Sequence, residues 1–208
     1  QELLSPASVD QTIIDGSTNA VSGNAVFDGL ATKATLATIA QIRALSGTLP
    51  NNYFYTTNIG QEGNWYYDST DTTTADNTGT VLVTSDGKRI KRVIENGVIF
   101  LEWFGAKADN STDNTSFVTS ALNYLVSVNG GMIKLKSGTY ITDGFTVPIS
   151  VQIQGEGLGT TTLKMKSGSS KTEFINLTNA RKASIKDFRI DGNGIGTNVN
   201  GILINNTT

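Results

Sequence analysis

The chain has no cysteine and no histidine. Without cysteine there is no disulfide and no thiolate nucleophile, and without histidine the commonest general base and the commonest metal ligand are both missing. Catalytic triads, zincins and zinc fingers are excluded within these residues, and no cofactor is expected. Charge of one sign is also lacking. Sixteen basic residues against eighteen acidic ones leave a formal net charge of −2, so no global field draws the chain to nucleic acid or to an anionic membrane. No apolar run approaches the ~18 residues of a membrane span, and no basic segment leading into an apolar one opens the chain. Neither nucleic-acid binding nor membrane insertion is expected.

With 208 residues of which 38% are hydrophobic, the chain can bury a core in one or two small domains. Residues 1 to 20 are small and polar, with Pro6 and Gly16 among several Ser and Thr, which is the composition of an arm or linker. From Asn24 the spacing of Val26, Leu30, Ala34 and Ala37 suggests a helix, weakened by Gly29. Such a stripe holds best against copies of itself, which marks Val26 and Leu30 as oligomer or attachment contacts. Thr38-Ile39-Ala40-Gln41 is a capping box, with Thr38 and Gln41 as its partners, and the short helix it opens should stop near Gly47.

Between Tyr53 and Phe104 come strand-like runs at Tyr53 to Thr56, Asn64 to Tyr67, Thr80 to Thr84, Arg89 to Val93 and Val98 to Phe104. Turn signals such as Asp76-Asn77-Thr78-Gly79, Asp86-Gly87 and Glu95-Asn96-Gly97 separate them at hairpin spacing, which predicts a small antiparallel β-domain. Lys88-Arg89-Ile90-Lys91-Arg92 reads as a half-solvated strand. Trp65, Tyr66 and Tyr67 run consecutively, so at least one faces outward and could offer a carbohydrate platform.

Asp109-Asn110-Ser111-Thr112-Asp113 places oxygen ligands at alternate positions like the start of a calcium loop. Asn114 stands where that loop needs Gly, and Ser120 where it needs Glu. Capping is the better reading, with Asp113 as N-cap of a helix from Ser116 to Val128 whose face carries Phe117, Ala121, Leu122 and Leu125. From Met132 onward short strands carry inward apolar residues two apart. Sliding Phe174 to Asn179 onto Gly201 to Asn206 aligns two such pairs at an offset of 27 residues, the length of one irregular solenoid coil. Gly155-Glu156-Gly157 has no Lys-Ser/Thr pair and no helix after it, so Gly155 and Gly157 mark a tight corner between coils and not a phosphate loop.

Phe104-Gly105-Ala106-Lys107, the Asp-rich segment, the helix after it, Asn129-Gly130-Gly131 to Tyr140 and Ile153-Gln154-Gly155-Glu156-Gly157 together resemble the N-terminal end of a pectate-lyase-like β-helix, and in particular that of bacteriophage tailspikes. The block holding Trp65-Tyr66-Tyr67-Asp68, Thr78 to Leu82, Gly87 to Arg92 and Glu102-Trp103 resembles the domain that precedes such helices. The resemblance covers roughly residues 40 to 160. The fold it implies is mainly β: residues 1–45 a helical arm for virion attachment, 46–101 a small antiparallel neck domain, and 102–208 a capping helix with the first coils of a right-handed parallel β-helix. It further implies a homotrimer, a tail or baseplate protein as partner through residues 1–45, and an extracellular virion tail location. The C-terminal part would recognise and depolymerise bacterial surface polysaccharide. The last strand, Ile202-Leu203-Ile204, has no cap after it, so a longer protein is expected.

Glycoside cleavage needs two carboxylates about 5 to 9 Å apart. Asp143, Glu156, Glu173, Asp187 and Asp191 are available on the solenoid. Asp187 and Asp191 flank one strand and are the catalytic candidates, although Asp191-Gly192-Asn193-Gly194 is also an ordinary turn. The segment itself is expected to be inactive. Two other readings remain open: a secreted bacterial β-helix polysaccharide lyase or hydrolase, and a non-enzymatic β-helix adhesin.

Overall fold

The computed structural model describes residues 34–194 and 199–205, so the assignments made for Val26 and Leu30 lie outside the described residues. The first unit is a mixed sheet. Its elements are β1 (Thr35–Ala37), α1 (Ile39–Ala44), β2 (Tyr53–Thr56), β3 (Gly63–Asp68), β4 (Val81–Val83) and β5 (Arg89–Arg92). The strand order is β1-β2-β3-β5-β4, antiparallel throughout except that β1 runs parallel to β2. At six residues α1 is too short to be stable alone. It is held by its cap, where the Gln41 amide donates to Thr38 Oγ1 at 3.2 Å and the Thr38 amide to Gln41 Oε1 at 2.8 Å. It is also held by burial of Ile39 and Ile42 in one core with Phe54, Trp65, Leu82 and Ile90. Residues 35–44, grouped by sequence with the arm, therefore pack as part of the sheet domain.

The second unit is a parallel β-helix. It comprises β6 (Val98–Phe100), a 3-10 turn (Leu101–Phe104), β7 (Asp109–Asp113), α2 (Thr115–Ser127), β8 (Gly131–Lys134), β9 (Gly138–Thr142), β10 (Phe145–Thr146), β11 (Val151–Gln154), β12 (Thr161–Met165), β13 (Glu173–Asn176), β14 (Ser184–Lys186), β15 (Arg189–Asp191) and β16 (Asn200–Leu203). These strands stack into three parallel sheets, β6-β8-β11-β14, β7-β9-β12-β15 and β10-β13-β16. Four coils result. The lumen is filled by residues in register, such as Ile99, Ile133 and Ile153 on the first sheet and Tyr140 beside Leu163 on the second.

The third sheet has no strand in the first coil, and α2 follows β7 there. Val118, Ala121, Leu122 and Leu125 recur at helical spacing and join the lumen core. Each of the larger three stabilises by about 1.5–3 kcal/mol on burial. The helix ends because Asn129 turns left-handed at φ 64°, so that Asn129 N–H reaches Val126 O at 3.2 Å and Gly130 N–H reaches Leu125 O at 2.8 Å. That pair of bonds is a Schellman stop.

Two expectations are corrected here. Val98 to Phe104 is not the last strand of the sheet domain: Val98–Phe100 pairs with β8, and Leu101–Phe104 coils. A strand buries alternate residues, but Leu101, Glu102 and Phe104 are all buried, and a 3-10 turn sets positions three apart on one side. The solenoid thus begins at Val98 and not at residue 102. The Asp-rich segment runs as β7, with Asp109 and Asp113 paired to Thr139 and Ile141 across a register shift.

Candidate functional site

The sheet domain and the β-helix meet at Arg92. Alternation along β5 puts Arg92 on the same face as buried Ile90, and the side chain is 4% exposed. Its guanidinium carbon lies 4.3 Å from the ring centroid of Trp65 in the sheet and 4.3 Å from that of Trp103 in the 3-10 turn. Nε donates to Gly79 O at 2.6 Å, Nη1 to Glu62 O at 2.8 Å and Nη2 to Gln61 O at 2.9 Å. Burial pushes its pKa down to about 9, so it remains charged at neutral pH. Gln61 Nε2 donates across the same junction to Trp103 O at 3.0 Å. The basic run is thus corrected at one position: Arg92 is core, where Arg89 and Lys91 are partly solvated.

Beyond the junction, the outer row of the first β-helix sheet carries Phe100, Lys134, Gln154 and Lys186 in register. With Glu156 and Asp187 at the next corner, several of these side chains line a groove of about 550 Å³. The corner itself is set by Gly155. A Cβ there would lie 2.3 Å from Asp187 O and 2.9 Å from Phe188 Cβ, so only glycine lets the coils approach. Gly157 holds φ +143°, and its amide donates to Asp187 O at 2.8 Å.

The structure gives the candidate acids structural partners. Asp187 accepts from Gln154 Nε2 at 2.9 Å, and Asp191 accepts from the Asn193 amide at 2.8 Å, as in a turn. The two lie at opposite ends of an extended stretch, roughly 13 Å apart at Cα by strand rise. Glu156 accepts from the Ser137 amide at 2.9 Å and from its hydroxyl, and Asp143 accepts from Ser169 Oγ. In the lumen Tyr140 donates to the buried Glu102 carboxylate and accepts from the Lys136 amide at 2.9 Å. Burial first, and then Glu102, raise the Tyr140 pKa, which keeps the phenol a donor.

Asp113 is not the N-cap residue. That position falls on Asn114, whose carbonyl accepts the first helical bond from Val118, while its amide side chain is diverted to Lys107 and to Thr112 O and Ile141 O. The Asp113 carboxylate nevertheless accepts from the Thr115 amide at 3.0 Å and pairs with Lys166 at 2.7 Å, and the Lys166 ammonium and Thr115 hold its pKa down to about 2. Asp109 closes on its own turn, accepting from the Ser111 and Thr112 amides at 2.9 and 2.8 Å. Among the described residues no group of three or more acidic side chains is placed to hold a metal ion.

The carbohydrate platform is also corrected. Trp65 is fully buried, with Nε1 donating to Thr56 Oγ1 at 2.9 Å, and Tyr67 packs partly buried against the same core. Tyr66 alone of the three is exposed, at 37%. Arg92 was the residue that sequence reasoning missed. The signal was its parity with Ile90.

Residues 35–95 match the model of the phage tail protein small four-stranded β-sheet domain. The capsule K2-specific depolymerase of Klebsiella phage vB_KpnP_KpV74 is 35% identical over 100 residues, covering 48% of this chain and 17% of that protein. Alginate lyase 7 of Azotobacter vinelandii is 33% identical over 103 residues, covering 43% of this chain and 12% of that protein. Tailspike protein gp49 of Acinetobacter baumannii bacteriophage Fri1, a capsular polysaccharide depolymerase, superposes with a TM-score of 0.68 at 15% identity, covering 84% of this chain and 36% of that one. The chain therefore has the fold of a tailspike's entrance and spans well under half the length of the proteins it matches.

Proposed function

We propose that a chain joining a phage-tail β-sheet domain to the first coils of a tailspike-type β-helix is the N-terminal part of a tailspike, a component of the virion tail that attaches the phage to its host. The observation that carries this reading is the adjacency of the two modules in one sequence, clamped together at Arg92. Residues 1–45 would engage a tail or baseplate protein. The whole protein would be a homotrimer, with Val26 and Leu30 contributing to the contact. Its β-helix would recognise and depolymerise a bacterial surface polysaccharide.

Four of the five candidate carboxylates of these coils, all but Glu173, serve local hydrogen bonds, so we assign the catalytic pair to residues outside the described ones. The likeness to alginate lyase 7 favours one second reading, a secreted bacterial lyase. Purified virions separate the two. The tailspike reading expects antibody against residues 35–95 to label the tail and to block adsorption, with capsule cleaved by the full-length protein and not by residues 1–208. Absence of the protein from virions, with cleavage by the isolated 208 residues, would establish the lyase instead.

A further inference from the structure

Besides the stripe it buries in the lumen, α2 carries a second one. Ser120, Asn123 and Tyr124 recur at helical spacing and line a groove of about 750 Å³ between the helix and the sheet domain. The facing wall is the side of the sheet turned away from α1. There Tyr66 stands in register with Lys91, and Val93 follows β5 at the same parity. Tyr66 is the one exposed member of the Trp65 to Tyr67 run, and Tyr124 supplies a second phenol across from it. The two phenols lie close enough to sense each other. Partial burial first, and then Tyr66, raise the Tyr124 pKa, while Lys91 acts in the opposite direction.

We propose that this groove binds a short, uncharged oligosaccharide. The proposal rests on the polysaccharide-binding role given above and adds a contact at the entrance of the solenoid that takes no part in cleavage. The groove falls within the ~300–1,000 Å³ usual for small-ligand sites. The hydroxyls of Tyr66, Ser120 and Tyr124 and the side-chain amide of Asn123 have no hydrogen-bond partner among the described residues. A hydroxyl both donates and accepts, and an amide does so from adjacent atoms, which matches the mixed demands of sugar hydroxyls. Neither tyrosine ring pairs with another ring among the described residues, which leaves both available to the C–H face of a pyranose. Val93 and Val128 add apolar surface beside them.

The charges bordering the groove, unlike its hydroxyls, are already matched. Lys91 pairs with Asp68 at 2.7 Å and Asp71 at 2.9 Å, and Asp76 pairs with Arg43 at 2.5 Å. Arg92 is taken up by backbone carbonyls, so an ionic ligand would have to compete with partners already in place. An added peptide strand would need an open sheet edge, but β3 lies between β2 and β5, and β5 between β3 and β4. The groups left free are side chains, and they suit a hydroxyl-rich, uncharged ligand.

An array of short neutral and uronic-acid oligosaccharides, probed with the fluorescently labelled 208-residue chain, is the test. At least one neutral member should be retained. Tyr66→Ala and Asn123→Ala should each weaken that binding about tenfold. Asn123 is exposed on the helix surface, so its truncation leaves the core intact, and near-UV circular dichroism checks that both variants keep their fold. Val126→Ala should bind as wild type, because Val126 lies on the other flank of α2, beside Pro148 and Ile149. Retention of no neutral member, retention of uronic acids alone, or binding that survives both Tyr66→Ala and Asn123→Ala would overturn the groove as a sugar site. Capture of a displayed peptide in place of any sugar would overturn it too, in favour of a protein partner. Each of these leaves the tailspike reading standing, since that reading is decided on virions. Absence of the protein from virions, with a neutral sugar held in the groove, would refute the tailspike reading alone.

Discussion

Replacing Arg92 by alanine should uncouple the sheet domain from the β-helix. The guanidinium makes three hydrogen bonds to backbone carbonyls and lies between two indoles. Charged hydrogen bonds contribute about 1.5–3 kcal/mol each, or ~5–9 kcal/mol for three. Two desolvated cation–π contacts add roughly 2 kcal/mol. Against this stands the cost of burying the charge. A pKa depressed from 12.5 to about 9 corresponds to roughly 5 kcal/mol. The balance is a loss of about 2–6 kcal/mol, a large share of the ~5–15 kcal/mol that a domain possesses. Arg92→Lys keeps the charge, but a compact ammonium cannot reach three separated carbonyls or lie flat between rings, so most of the loss should remain.

Urea unfolding followed by tryptophan fluorescence is the assay, because the only two tryptophans, Trp65 and Trp103, both touch Arg92. The expected result is a red-shifted native emission and a transition that splits, the sheet domain melting first. A variant within 1 kcal/mol of wild type, with one transition and unchanged emission, would refute the clamp.

Gly155→Ala should cost about 3 kcal/mol in equilibrium unfolding, since its Cβ meets backbone at 2.3 Å, whereas Gly159→Ala, with nothing within 4 Å, should be close to neutral. Asp113→Ala should cost about 1 kcal/mol through the lost Thr115 contacts, and EDTA should leave the wild-type melting temperature unchanged; a large shift on chelation would revive the calcium reading. Partial desolvation opposes ionisation of Asp76, but hydrogen bonds from Arg43 and from the Val83 and Thr78 amides outweigh it and lower the pKa. Its stabilisation is therefore full above the unfolded-state value near 4 and is lost as pH falls below it. Melting temperatures between pH 2 and 7 should show Asp76→Asn with a shallower acid limb than wild type, and parallel curves would contradict the assignment.

Much of the solenoid was legible as repetition. The 27-residue offset seen between Phe174 to Asn179 and Gly201 to Asn206 is the register of β13 on β16, where Ile175 faces Ile202 and Asn176 faces Leu203. That signal survives because lumen residues must stack on their own kind. Where sequence reasoning failed, two rules competed. Lys88 to Arg92 looked solvated by composition, yet alternation from Ile90 directs Arg92 inward. Asp113 looked like the cap by residue type, yet the strand pairing of β7 extends the chain to Asp113 and moves the helix start on by one. Trp65 looked available in a run of three aromatics. Which of the three points inward depends on a register that only the sheet supplies.

The coils of the β-helix are not equal. On the first sheet, Ile133 to Ile153 spans 20 residues and Ile153 to Ile185 spans 32, yet all three face one another directly. The stack therefore counts rungs and not residues. Extra chain is taken up entirely at the corners, outside the lumen, and leaves the registration of every later strand intact. Such a scaffold can exchange or lengthen its corner loops, and so change the surface it presents, without refolding the column that carries them.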